Sequence, residues 1–168
     1  FDYDRDGDLD VFISGRLVPG KYLSPANSYI LQNRDGKFSD VTNSVAPGLL
    51  GLGMITDMTW VDYNNDGDFD IIMVGEWMQI TIFDQDEGVF TKLENSSNGL
   101  EHSEGWWWSI SAADFDGDGD MDLVAGNMGH NYKFRASLSE PLIAYVDDFD
   151  DDGLFDLAMG YHHEGKTY

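Results

Sequence analysis

The stretch "ADFDGDGDMD", Ala113 to Asp122, places an aspartate at every second position: Asp114, Asp116, Asp118, Asp120 and Asp122. Five like charges this close together repel. As a strand they would make one all-carboxylate face, and Asp is a poor strand residue. As a helix they would crowd like charges and leave no apolar stripe. The stretch reads either as unstructured chain or as a loop with something positive among its carboxylates.

The pattern recurs. "FDYDRDGDLD" occupies residues 1–10, "VDYNNDGDFD" 61–70 and "DDFDDDGLFD" 147–156. Each reads D-x-[DN]-x-D-G-x-x-D. A short apolar run closed by Gly follows each: "VFISG", "IIMVG", "LVAG" and "LAMG". These runs are short and rich in Val, Ile, Leu and Met, which suits buried strands. Before three of the loops, apolar residues alternate, as at Met58 and Trp60, Ile110 and Ala112, and Leu142, Ala144 and Val146. Period two marks a strand with one face on a core. Each acidic loop is therefore predicted to join two strands of a hairpin.

A second hairpin recurs downstream. "SYILQNRDGKFSDVT" (28–42) reads as strand, Asp35-Gly36 turn, strand, and "QITIFDQDEGVFTKL" (79–93) matches it. One unit is thus about four strands. The loop starts Asp2, Asp62, Asp114 and Asp148 are 60, 52 and 34 residues apart. The first two spacings suit a four-stranded propeller blade, with its usual period of about 40–50 residues. The expected fold is all-β: antiparallel four-stranded β-propeller blades over 1–168, in units 1–50, 51–105, 106–140 and an incomplete 141–168. The segment between Gly126 and Pro141 lacks the Gly-x-Phe hairpin, so irregular chain or a helical turn is expected there. About three blades fit, against roughly four to eight in closed propellers. With no initiator Met and Phe1 leading straight into a loop, a truncated or processed piece of a longer propeller is expected.

Alternate oxygen side chains followed by Gly suit a hard cation. Calcium takes about six to eight oxygens from a flexible loop, and Gly at position 6 permits the sharp turn. Positions 1, 3, 5 and 9 are predicted to supply side chains, and position 7 only its carbonyl. The fourth loop supports this, because Leu154 stands at its position 7. An EF-hand would need a Glu at position 12 and flanking helices. Here position 12 is Ile13, Met73, Ala125 or Met159. Magnesium prefers small octahedral sites with several waters, and zinc would normally bring His or Cys. About four Ca²⁺ sites are expected.

Composition agrees. The chain has 168 residues and no cysteine, so disulfides and thiolate metal sites are excluded. Its net charge of -23, from 32 acidic and 9 basic residues, argues against nucleic acid and anionic membrane surfaces as partners. No apolar run reaches the roughly 18 residues of a membrane helix.

Taken together, the D-x-D-x-D-G-x-x-D loop, the apolar run ending in Gly and the downstream "SYILQNRDGKFSDVT" resemble the FG-GAP/VCBS repeats of integrin-α-like β-propellers. "GNMGHNYKF" followed by "EPLIAYVDDFDDDG" is similar to large secreted bacterial VCBS-repeat proteins, some with a C-terminal ASPIC/UnbV module. No such module is visible here. The resemblance implies calcium held in the hairpin loop between the first two strands of a blade. Its ligands carry over onto Asp2, Asp4, Asp6 and Asp10; Asp62, Asn64, Asp66 and Asp70; Asp114, Asp116, Asp118 and Asp122; and Asp148, Asp150, Asp152 and Asp156. Asp8, Asp68, Asp120 and Leu154 would add carbonyls. Asn64 departs from the pattern and removes one charge, so weaker binding is expected at that loop.

In "GWWWS" (105–109), alternation places Trp106 and Trp108 on the Ile110 face, as core, and Trp107 on the other. Trp60 and Trp77 are also expected in the core. His102 and His130 have no partner at a recognisable spacing, and the His162-His163 imidazoles would point to opposite faces of a strand. No nucleophile–base–orienter set is visible. The expected function is a calcium-stabilised module, secreted or on the bacterial cell surface, with a protein or glycan partner and an adhesion or scaffold role. The alternative is a carbohydrate-binding or polysaccharide-degrading propeller with structural calcium.

Overall fold

The computed structural model describes residues 1–163 and 165–168. The side chains of His130 and His163 lie outside the described residues, and with them the expectations for those imidazoles. The first unit is a three-stranded antiparallel sheet, β1 (Val11–Ile13), β2 (Tyr29–Arg34) and β3 (Lys37–Asp40). Asp35 and Gly36 turn between β2 and β3 with φ of 52° and 78°, the doubly positive pair of a type I′ hairpin.

The second unit is a complete blade: β4 (Met54–Val61), β5 (Asp70–Met78), β6 (Thr81–Asp86) and β7 (Val89–Lys92), each antiparallel to the next. The third unit has β8 (Gly105–Ala113) and β9 (Asp122–Asn127), and the fourth has β10 (Ile143–Asp147) and β11 (Asp156–Gly160). A small hairpin, β12 (His162–His163) with β13 (Lys166–Thr167), follows. Three acidic loops join paired strands as the alternation predicts, β4 to β5, β8 to β9 and β10 to β11; the first leads into β1. Between Asn127 and Ile143 the described chain forms a single 3₁₀ turn, Gly129–Asn131, and no strand.

The core lies between units. β5 is buried from Asp70 to Glu76, which explains why "IIMV" is continuously apolar instead of alternating. Ile71 and Met73 face one cluster, with Ile30, Leu49, Ile55, Phe83 and Phe90. Ile72 and Val74 face the other, with Val61, Ile82 and Ile110. Removing such a side chain, as in Ile72→Ala, costs about 2–5 kcal/mol. Past Met73, β8 pairs with β5 at Glu76 and Met78, so main-chain hydrogen bonds run from the second unit into the third.

The tryptophan assignment is corrected by a β-bulge. Trp107 pairs with Asn127 and Ser109 with Gly126, which leaves Trp108 as the extra residue. One inserted residue reverses the alternation on its N-terminal side. Trp107 therefore packs on the Ile110 cluster, while Trp108 is exposed beneath the Arg16 guanidinium. Trp60 packs as expected, stacked on Phe1 at 4.5 Å. Trp77 is only partly buried.

Candidate metal centres in the aspartate loops

All four loops share one backbone path. The glycine at position 6 has φ between 88° and 99° (Gly7, Gly67, Gly119, Gly153), beyond the left-handed range that L residues tolerate. Position 4 is left-handed too, with φ near 60° at Arg5, Asn65 and Asp151. Two successive turns fold the chain around its own carboxylates. The position-1 carboxylate accepts the N–H of the position-6 glycine at 2.8–3.1 Å in every loop, from Asp2, Asp62, Asp114 and Asp148. The position-5 carboxylate accepts the N–H of position 7 throughout, from Asp6, Asp66, Asp118 and Asp152.

Position 9 ties the loop to the sheet. Asp10, Asp70, Asp122 and Asp156 each accept the N–H of the aromatic residue at position 2, at 2.9–3.1 Å. In the first two loops the other oxygen accepts a strand N–H, from Asn33 to Asp10 and from Gln85 to Asp70, both at 2.8 Å. These aspartates would be structural pins even without a metal.

The carboxylates converge. Oxygens of Asp2, Asp4 and Asp6 lie within 4.8 Å of one another, as do those of Asp114, Asp116 and Asp122 and those of Asp148, Asp150 and Asp156. Of the four expected side chains, each of these loops thus gathers three. Position 9 is not in the first group, and position 5 is not in the other two. The donors are all hard oxygens, which fits calcium chemistry. The three position-7 aspartates turn to other partners. Asp8 accepts the Asp35 N–H at 2.7 Å, Asp68 pairs with Arg5, and Asp120 accepts the Asn65 amide at 3.0 Å.

Sequence reasoning missed Asp84. In the first loop Asp4 at position 3 accepts a hydrogen bond from Gln32 on β2. In the second loop the chemistry is exchanged. Asn64 stands at position 3 and its amide donates to Asp84 on β6 at 2.9 Å and to Asp66 at 2.9 Å. Asn64 Oδ1 faces the loop and accepts the Asp66 N–H at 3.1 Å. The charge removed from position 3 reappears on the neighbouring strand. The hairpin match that pairs Gly36 with Gly88 also pairs Gln32 with Asp84, so the signal was present.

Neighbouring loops touch through a repeated contact. Position 4 of the first loop, Arg5, reaches position 7 of the second, Asp68. Position 4 of the second, Asn65, reaches position 7 of the third, Asp120. Position 4 of the third is Gly117 and position 7 of the fourth is Leu154, so neither contributes a polar side chain there.

The electrostatics reflect crowded, buried negative charge. Asp70 is wholly buried, and burial, with Asp84 and Asp66 nearby, pushes its pKa up to about 6. Burial and then Asp4 and Asp10 push the Tyr3 hydroxyl up to about 12. Tyr63 is raised by burial and by Asp84.

Stacked antiparallel units, each with the same acidic loop ahead of its buried strand, define an all-β, propeller-like repeat module. The family profile described as FG-GAP-like repeat matches residues 2–73 and 62–125. The chain belongs to that family. No curated protein matches the chain. FG-GAP repeats typically occur in extracellular proteins. No helix among the described residues is long and apolar enough to cross a membrane.

Proposed function

We propose that the four loops hold calcium and that the chain is a calcium-stabilised interaction module of a secreted or cell-surface protein, with a protein or glycan partner. The observation that carries this reading is the shared loop frame: in three loops carboxylates converge at positions expected to ligate, while the three position-7 aspartates are engaged elsewhere. Calcium would supply positive charge at the centre of each loop. The chain's own part is to hold the oxygens through the turn hydrogen bonds and the position-9 pins. Extracellular calcium is abundant, so affinities of about 10⁻⁴–10⁻³ M suffice.

Because calcium binds the folded loops and not the unfolded chain, it stabilises by mass action. Raising calcium to about 100 times its Kd adds about 2.7 kcal/mol for each independent site. Thermal melts of the protein in millimolar calcium and in chelator test this. The expected result is a large rise in Tm with calcium and a smaller one with equal magnesium. Melts that coincide in calcium and chelator would sink the reading.

A further inference from the structure

At the end of β5, β8 and β9 away from the acidic loops, the chain forms a cleft of about 820 Å³. This is within the usual size of a small-ligand site, about 300–1,000 Å³. Four rings run along it: Trp77 to Trp106 at 5.4 Å between centroids, Trp106 to Tyr132 at 5.7 Å and Tyr132 to Phe134 at 5.3 Å. Glu104, His102 and Arg135 add polar groups to its lining.

Trp77 is placed by unusual means. It sits at a bulge where β5 slips against β8, between Glu76 and Met78. Its φ is 59°, a left-handed conformation that a bulky side chain rarely adopts. Such strain costs about 1–3 kcal/mol and persists only where the surroundings enforce it. Here they do. The Trp77 indole N–H donates to the Tyr22 hydroxyl at 3.2 Å, and that hydroxyl donates to Glu76 at 2.6 Å. Arg16 Nε donates to the other Glu76 oxygen at 2.6 Å. Glu76 is 1% exposed, and a carboxylate that deep is costly unless it is paired. A buried carboxylate paired with a half-exposed arginine, together with a tyrosine, thus fixes a tryptophan that remains partly open to the cleft. Beside it, the Trp106 indole N–H is shielded from solvent and has no acceptor among the described residues, an unmet donor in the second ring of the row.

The chemistry narrows the ligand. Flat rings favour a molecule with an apolar face. The charged and polar groups of the lining disfavour a pure hydrocarbon, which would desolvate them without replacement partners. A net charge of -23 disfavours a polyanion. A pyranose has a C–H face and a rim of hydroxyls that donate and accept. We propose that the cleft binds a neutral oligosaccharide, with Trp77 and Trp106 as stacking surfaces and Arg135 as a hydrogen-bond donor. Tyr22, Glu76 and Arg16 are positioning residues. The proposal rests on the glycan-partner reading above and is independent of metal in the loops.

The test titrates the calcium-saturated protein with neutral oligosaccharides of glucose, xylose, mannose and N-acetylglucosamine, read by tryptophan fluorescence and calorimetry. Saturable binding of at least one series is expected. Trp77→Ala and Arg135→Ala weaken it at least tenfold. Phe38→Ala, which removes an exposed ring on β3, leaves it unchanged. Arg135 is exposed, so that variant keeps the test valid if Trp77→Ala unfolds. Absence of binding across the panel overturns the proposal, as does unchanged affinity in Arg135→Ala. Saturable binding of uronate oligomers or peptides in place of neutral sugars also overturns it.

Discussion

Asn64 and Asp84 divide between a loop and a strand what Asp4 and Gln32 divide the other way round. Counting charges within the loop alone, Asn64→Asp would tighten calcium binding at the second site. With Asp84 hydrogen-bonded to Asn64, that substitution sets two carboxylates against each other. The expected outcome is coupling of about 0.5–3 kcal/mol between the positions. Asp84→Gln alone weakens the site, Asn64→Asp alone gains little, and the double exchange returns to near the parent affinity. Calorimetric titration of the four proteins checks this, and strictly additive effects would count against it. Asp70 adds a pH dependence. Its pKa is raised to about 6 in the folded, metal-free chain, against roughly 3.9 unfolded. The protonated form therefore favours the metal-free fold fully below about pH 4, and this contribution is lost as pH rises through 6. Calcium bound as proposed would require the carboxylate, so affinity at the second loop is expected to fall as pH drops below about 6. Calcium binding near pH 5.5 is expected to release protons, and at pH 7.5 almost none. Calorimetry in buffers of different ionisation enthalpy reads this directly; no difference between the two pH values would refute it.

The loops are linked as elements by the contact from position 4 to the next position 7. The Arg5–Asp68 ion pair is partly exposed and is worth about 0.2–1 kcal/mol by the usual range for exposed pairs, and the Asn65–Asp120 contact is an exposed hydrogen bond. Ordering one loop fixes its position-4 side chain and so favours the next. Arg5→Ala is expected to lower cooperativity between the first and second sites by a factor of about two to five while leaving the third untouched. Gly117→Asn combined with Leu154→Asp would create the missing contact between the third and fourth. Global fits of calcium titrations check both, and unchanged cooperativity in Arg5→Ala would show that the contact carries no coupling. Much at this scale was legible beforehand. Loop spacing, apolar runs and the Asp35-Gly36 turn were enough to anticipate hairpins and a four-stranded unit. The bulges were not legible, because Trp107, Trp108 and Trp77 carry no local mark of a ladder slipping against a partner strand. The contact of Arg5 with Asp68 was hidden for a similar reason: it depends on how units stack, and one loop read alone gives position 7 no side-chain role.

Across the whole molecule, the buried clusters lie on either side of the second unit, and neither includes a residue beyond Ala125. The β5–β8 ladder carries main-chain hydrogen bonds from the second unit to the third, whereas β10 and β11 form a separate two-stranded sheet. The same border, between the third unit and the fourth, is where Gly117 and Leu154 interrupt the loop-to-loop contacts. Among the described residues, Phe134 lies against Tyr161 across this border, and the Lys21 ammonium of the first unit lies over Phe155 of the fourth. Under mechanical load this border is the weak shear plane. Pulling on the chain would peel β10 and β11 away at low force as a first step, and the block from Tyr3 to Ile110 would yield later in one larger event. A protein tethered at a surface could in this way lengthen under stress while its central blade stayed folded.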